Sequence, residues 1–368
     1  LKSQHLEQKI ALTMLNGIGR KKAAVLVSKM GGIEAVFDTS LKTIQHETGF
    51  RMDLLKTMNR KLALEEAKKQ CEFIVKHNIQ THFFTDTNYP RRLRQCADAP
   101  LLLYSKGKFD PNPSRTIAVV GTRSASDYGK SLCEELIDHF NGTNIQVVSG
   151  MAYGIDIIAH QACVRKGIET IGVLGHGLDR VYPALHRKTA DQMLENGGML
   201  TEFLPGTRPD RENFPMRNRI VAGMSDATVV VESKATGGSL ITADMALDYN
   251  RDVFAFPGNV GQSTSEGCNF LIRSNKAQLI TCGTDLMKEM SWETNKSGKE
   301  TQQRINLEEL SSDEKELVEF LEDTAQHIDV ISVKLKRPVS QISVTLLMLE
   351  IKGIIKSNAG NKYAVAFH

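Results

Sequence analysis

Four times in the middle of this chain a short apolar run ends in a small, glycine-bearing turn. That repetition constrains the fold more than any other feature. The runs are 117–120, ahead of Gly121-Thr-Arg-Ser-Ala-Ser-Asp127; 147–149, ahead of Gly150-Met-Ala-Tyr-Gly154; 171–174, ahead of Gly175-His-Gly177; and 227–231, ahead of Glu232 and Ala235-Thr-Gly-Gly-Ser239. Helical patterns follow over 127–140, 155–166 and 239–250. Strands alternating with helices imply a parallel sheet with right-handed crossovers. In such a sheet the strand-to-helix turns share the carboxyl edge, where open α/β folds bind ligands. The expected fold class is therefore α/β, a Rossmann-like, doubly wound, mostly parallel sheet. Gly121, Gly150, Gly175, Gly177, Gly237 and Gly238 should converge on one face of it, and four converging turns point to a phosphate-bearing ligand.

The first turn carries the sharpest chemistry. Helix-start amides lack internal partners, the helix dipole adds partial positive charge, and Arg123 supplies a full charge with a forked donor. Taken alone, an ordinary turn capped by Ser126 or Asp127 with a solvated arginine explains it equally well. Further on, Asn213-Phe-Pro-Met-Arg-Asn-Arg-Ile-Val221 brings Arg217 and Arg219 near the same edge, and Phe214 offers a flat face for stacking on a base. The competing reading pairs these arginines internally with Glu202, Asp226 or Glu232 and places Phe214 in the core.

Domain organisation follows from composition along the chain. With 368 residues, 41% of them hydrophobic, the protein has enough material for two or three domains. Residues 1–85 read as a helical module. Leu15-Asn-Gly-Ile-Gly-Arg-Lys-Lys22 lies between two apolar-periodic segments, as in a helix-hairpin-helix turn that offers amides to a DNA phosphate, or in a plain helical hairpin. Basic residues outnumber acidic ones 17 to 10 over the first hundred positions, which suits a polyanionic partner or a solvated helical surface. Residues 86–290 form the α/β domain, 291–306 a polar linker, and 307–368 three helices and a small hairpin in the winged-helix plan. The stretch 340–350 of that last unit contains no Lys or Arg, so partner-protein binding or a structural role fits better than a grip on duplex DNA.

Several chemistries are absent. Six cysteines (71, 96, 133, 163, 268 and 282) are scattered with no Cys-x-x-Cys pair, arguing for a reducing compartment and against a zinc site. No apolar run is long enough to span a bilayer, and a cytoplasmic location is expected. Residues 124–131 end like a phosphate-binding ATPase loop, with 229–232 as its acidic strand, but Ser124 stands where the first glycine is needed. Asp156 and His160 share a helix face at i, i+4 spacing and read as structural. No nucleophile, base and orienting group stand together, so no enzyme, cofactor or metal is expected.

Seven ordered blocks carry a family resemblance: Val120-Gly-Thr-Arg-Ser-Ala-Ser-Asp-Tyr-Gly129; Ser149-Gly-Met-Ala-Tyr-Gly-Ile-Asp156 with His160; Gly175-His-Gly-Leu-Asp179 with Tyr182-Pro183; Phe214-Pro-Met-Arg-Asn-Arg-Ile220; Gly238-Ser-Leu-Ile-Thr-Ala243; Phe256-Pro-Gly258; and Glu266-Gly267 with Leu271-Ile272. Together they resemble the DNA processing protein A (DprA/Smf) family of bacteria. The resemblance implies an extended Rossmann-like domain that binds single-stranded DNA without sequence preference and forms a homodimer. It also implies loading of the RecA recombinase onto DNA during natural transformation and recombination. Gly121, Thr122, Arg123, Ser124 and Ser126 would then hold a phosphate. Phe214, Arg217, Asn218 and Arg219 would continue the strip, and Gly237, Gly238 and Ser239 would supply amides. Gly150, Arg211 and Lys234 belong to the same implied nucleic-acid-binding set. Many relatives carry a basic residue directly after the Tyr-Pro pair, whereas Ala184 stands here and His186 or Arg187 is the nearest substitute.

The alternative is a Rossmann-like nucleoside-monophosphate hydrolase, or a degenerate nucleotide-binding protein. That hydrolase family resembles Pro-Gly-Gly-x-Gly-Thr-x-x-Glu at its turn. The corresponding turn here, Ala235-Thr-Gly-Gly-Ser-Leu-Ile-Thr-Ala243, lacks the glutamate.

Overall fold

The computed structural model describes residues 2–292, 311–321, 326–352, 354–358 and 362–365. Most of the expected linker, residues 293–306, lies outside the described residues. The chain divides into two compact units, Leu1–Glu293 and Thr294–His368.

The first unit is built on a nine-stranded sheet. Its strands are β1 (Gln80–Phe83), β2 (Leu102–Lys108), β3 (Arg115–Val120), β4 (Ile145–Ser149), β5 (Thr170–Val173), β6 (Gly197–Thr201), β7 (Ala227–Val230), β8 (Asp252–Ala255) and β9 (Gln278–Leu279), in the order β1-β2-β6-β5-β4-β3-β7-β8-β9. From β6 to β9 every pairing is parallel; at the other end β2 runs against β6, and β1 against β2. The chain enters at β3, winds outward to β6, then returns to β7 on the other side of β3. The carboxyl ends of β3 and β7 thus flank the switch point, the place where open α/β sheets take ligands.

Side-chain alternation explains the layers. Ile117 and Val119 face one side and pack with Cys133, Leu136 and Ile137 of the helix Asp127–His139 and with Ile155 and Ala159 of the helix Ile155–Lys166. Ala118 and Val120 face the other side and pack with Ile220 and Val221 of the helix Asn213–Met224 and with Ala243 and Ala246 of the helix Gly238–Asp248. Strands covered on both faces read as the continuous apolar runs that marked them in the sequence.

The N-terminal module shares its core with the sheet's antiparallel end, where Phe83, Leu102 and Tyr104 pack against Ile10, Leu26 and Ile74. Its expected limit at residue 85 therefore cuts through the sheet, because β1 pairs with β2. Four residues, three of them polar, carry too little apolar alternation to mark β1 in the sequence. Lys9 reaches Asp86 at 2.8 Å, and Arg20 donates to the carbonyls of Cys96 and Arg94. In the expected hairpin turn, Ile18 is buried and Arg20 faces the sheet-bearing domain, while Lys21 stays exposed.

The second unit has helices Ser312–Leu321, Ile328–Leu335 and Val339–Ile351 around a small apolar core of Leu317, Ile331, Ile342, Leu346 and Leu349. Strand β10 (Gln326–His327) pairs with β12 (Lys362–Val365), which also pairs with β11 (Ile355–Asn358). Three helices and a three-stranded sheet in this order make a winged helix. Among the described residues, no helix is long and apolar enough to cross a membrane.

Candidate nucleic-acid interface

The loop after β3 is fixed from below by one buried carboxylate. Glu232 is only 3% exposed and accepts from Ser126 N at 2.9 Å and Ser126 Oγ at 2.7 Å. Its carbonyl accepts from Thr122 N at 2.7 Å. Ser126 Oγ in turn accepts from Gly129 N at 3.1 Å, so the serine is a true N-cap. A Cβ at Gly129 would lie 2.4 Å from Glu232 Oε2, so the glycine that resembles an ATPase loop instead makes room for this anchor. With Ser126 and Thr122 tied down, Arg123 is the exposed charge of the loop, its guanidinium 5.6 Å from the Phe214 ring centre.

The loop after β4 touches the first one. Ile155 N donates to the Thr122 carbonyl at 3.2 Å, beside Gly154, whose φ is 75°. Asp156 accepts from Gly150 N at 3.1 Å and from Ala152 N at 3.4 Å. His186 Nδ1 lies 2.8 Å from the Met151 carbonyl. Burial pushes the Asp156 carboxyl upward, and nearby Arg217 opposes that shift. His160, on the same helix face, bonds Thr170 Oγ1 at 2.8 Å; burial lowers it to about 3, which keeps it neutral. Both side chains are engaged in hydrogen bonds within the protein.

The opposite wall comes from the helix Asn213–Met224 and the turn leading into Gly238–Asp248. The amides of Gly238 and Ser239 open this second helix and have no intrahelical acceptor. Two adjoining cavities result. The first, of about 390 Å³, is lined by Thr122, Arg123, Lys234, Thr236, Gly237, Gly238, Ser239 and Thr242 above a floor of Gly150, Asp156 and Arg217. The second, of about 340 Å³, is lined by Tyr153, Tyr182, Pro183, Pro209, Arg211, Phe214 and Ile241. Arg123, Phe214 and Asn218 line both. Tyr182 and Phe214 have ring centres 6.2 Å apart, and Tyr182 and Tyr153 are each nearly half exposed. Among the described residues, Asp156 is the only carboxylate lining either cavity, and its Oδ2 accepts from the amides of Gly150 and Ala152.

The structure thus brings together Gly121, Thr122, Arg123, Ser124, Gly150, Arg211, Phe214, Arg217, Asn218, Lys234, Gly237, Gly238 and Ser239. It changes the part several of them play. Gly150 offers no free amide, since Asp156 takes it. The Ser126 hydroxyl belongs to Glu232, and the Ser239 hydroxyl donates to Ser233 Oγ at 2.8 Å. Arg217 is 4% exposed and donates to the carbonyls of Gly150 and Val173; burial lowers its pKa to about 10, so it stays charged. Arg219 leaves the strip altogether, pairing with Glu202 and donating to the Asp98 carbonyl. It sits two helical positions from Arg217, about 200° around the axis, and so faces away from the pocket. His186 is buried under the Met151 carbonyl, and exposed Arg187 lines neither cavity. Gly175 supports Phe214, with a Cβ position 3.1 Å from the ring, and Gly177 lies outside both linings. Tyr153 and Tyr182 also line the second cavity, and nothing in the sequence says which way they face.

Comparison with known proteins fits this geometry. The family model for DNA recombination-mediator protein A matches residues 80–291, and that for the DprA winged helix domain matches residues 302–361. The chain belongs to the DNA recombination-mediator protein A family. DNA processing protein DprA of Streptococcus pneumoniae is 37% identical over 235 residues, covering 64% of this chain and 82% of that one. Protein Smf of Escherichia coli is 33% identical over 276 residues, 74% of each chain. The crystal structure of the Streptococcus pneumoniae protein superposes with a TM-score of 0.62 at 32% identity, covering 78% of this chain and 97% of that one. A structure of DNA processing protein A from Helicobacter pylori, described for its single-stranded DNA binding mode, gives a TM-score of 0.52 at 27% identity, covering 58% of this chain and 95% of that one.

Proposed function

We propose that the paired cavities form one track for single-stranded DNA, and that the protein loads RecA onto the strand it holds, in transformation and recombination. One observation carries the reading: Arg123 stands between a cavity of amides, hydroxyls and cations and a second walled by three aromatic rings. A backbone phosphate fits the first and an unstacked base the second. Single strands need such a basic track with stacking faces rather than a base-edge reader, so sequence preference should be small. The described ligand of the Helicobacter pylori relative supports the same ligand class here.

The homodimer implied by the resemblance is assigned to the far edge of the sheet. Strand β9 is a two-residue open edge with half-exposed Leu279, and Phe270 and Val260 are exposed on neighbouring elements. The unpaired main-chain groups of an open edge, with these exposed apolar side chains beside it, give a second copy something to pair with. The helix Gly238–Asp248 suits a seam less well, because its exposed Ile241 already lines the second cavity.

Fluorescence anisotropy with oligothymidine, mixed-sequence single strands and matched duplex tests the reading. Single strands of either composition should bind alike and outcompete duplex. Phe214→Ala should weaken binding by about 1–3 kcal/mol, the usual contribution of one base stacked on an aromatic ring. A nucleotide panel incubated with the protein should yield no product, whereas phosphate or base release would favour the hydrolase. RecA loading is tested by the protein's ability to speed RecA filament growth on the same strands; no acceleration would remove that part of the reading.

A further inference from the structure

The Gly150 peptide is held on both sides by buried charged groups. Its N–H donates to Asp156 at 3.1 Å, and its carbonyl accepts from Arg217 Nη1. The same nitrogen reaches the Val173 carbonyl at the end of β5, so one guanidinium joins the loop to the neighbouring strand. The ideal Cβ position of Gly150 lies 2.5 Å from Arg217 Nη2, which places the guanidinium flat against the loop's main chain. The next residue, Met151, has a φ of 57°, a conformation that side-chain-bearing residues adopt at a cost of order 1–3 kcal/mol. Such a loop persists only where its surroundings over-determine it.

We propose that Arg217 and Asp156 are a positioning pair for strand binding: they lock the loop that presents Ala152 and Tyr153 to the strand, and Arg217 itself holds no phosphate. This rests on the single-strand reading of the site. A guanidinium taken out of water needs acceptors for its donors: two main-chain carbonyls take Nη1 and Asn218 Oδ1 accepts from Nε at 3.2 Å, while the nearby Asp156 carboxylate opposes the charge without bonding it. The planar fork suits this task, whereas lysine ends one atom short and lacks the fork. A loop fixed before the strand arrives loses less conformational freedom on binding.

The test measures oligothymidine affinity across a salt series for Arg217→Lys, Arg217→Gln and Arg123→Gln, with thermal melting to register folding. Both Arg217 variants should bind about tenfold more weakly while keeping the parent's salt slope, whereas Arg123→Gln should flatten it by about 0.7, the loss of one phosphate contact on a single strand. A slope flattened by the same amount in Arg217→Gln, with parental binding in Arg217→Lys, would make Arg217 a phosphate ligand and overturn the proposal. Parental affinity in both variants would overturn it as well. If Arg217→Gln does not fold, Arg217→Lys decides alone: weaker binding at the parent's slope supports the pair, and parental affinity overturns it. A parent that ignores oligothymidine, or an Arg123→Gln that binds like the parent, sinks the reading of the site, and the positioning role falls with it.

Discussion

Arg123→Glu should weaken oligothymidine binding by at least a hundredfold while leaving the melting temperature near that of the parent. Its side chain is exposed, and among the described residues no carboxylate pairs with it. The cost therefore falls on binding. A charge-assisted hydrogen bond to phosphate contributes up to about 3 kcal/mol, and reversing the sign adds repulsion against the strand. At 1.4 kcal/mol per factor of ten, the bond alone accounts for roughly a hundredfold. Equilibrium anisotropy at fixed salt checks it, and a loss under threefold would remove Arg123 from the track. The exposed lysines of the N-terminal hairpin provide the contrast: Lys21→Glu should change affinity little, because that turn lies in the helical module and not among the residues lining the cavities.

Gly154→Ala should be the most damaging single methyl in the loops. A Cβ there would sit 2.1 Å from the Thr122 carbonyl and 2.7 Å from the Arg123 carbonyl carbon, both main-chain atoms that cannot swing aside. Overpacking of this kind costs about 1–3 kcal/mol, and the left-handed φ of 75° adds a similar amount. The combined cost, about 3–4 kcal/mol, is a large share of the stability of an ordinary domain. Whatever protein folds should also bind weakly, because the methyl pushes Arg123 off its perch beside Phe214. Chemical denaturation gives the stability and anisotropy the binding. A variant as stable as the parent would mean that the two loops are not in van der Waals contact.

The sheet was readable because its strands are buried on both faces, so four apolar runs with glycine turns could hardly be anything but parallel strands. The site's position followed from topology alone, since turns after parallel strands share an edge. What each residue does there was less legible. Arg217 and Arg219 look equivalent in sequence, yet one underlies the pocket and the other bonds Glu202 on the far side of the helix. That difference is set by helical phase against a particular pair of carbonyls, which no local pattern records. Glu232 looked like an ATPase acid or an arginine partner and proved to be the clamp under the Ser126 cap. Its role depends on the approach of two loops 106 residues apart. Strands β1 and β10 leave no mark in the sequence, because runs of four and two residues carry too little alternation.

The central claim is that a single strand lies along the carboxyl edge of the sheet, between the Arg123 loop and the aromatic wall. Photocrosslinking with oligothymidine carrying 5-iododeoxyuridine, followed by peptide mapping, addresses this directly because the adduct marks where a base sits. The account predicts adducts on Phe214, Tyr182 or Tyr153, competed away by unlabelled single strand and lost in Arg123→Glu. Adducts confined to the N-terminal hairpin or to the winged helix, and unaffected by Arg123→Glu, would contradict it.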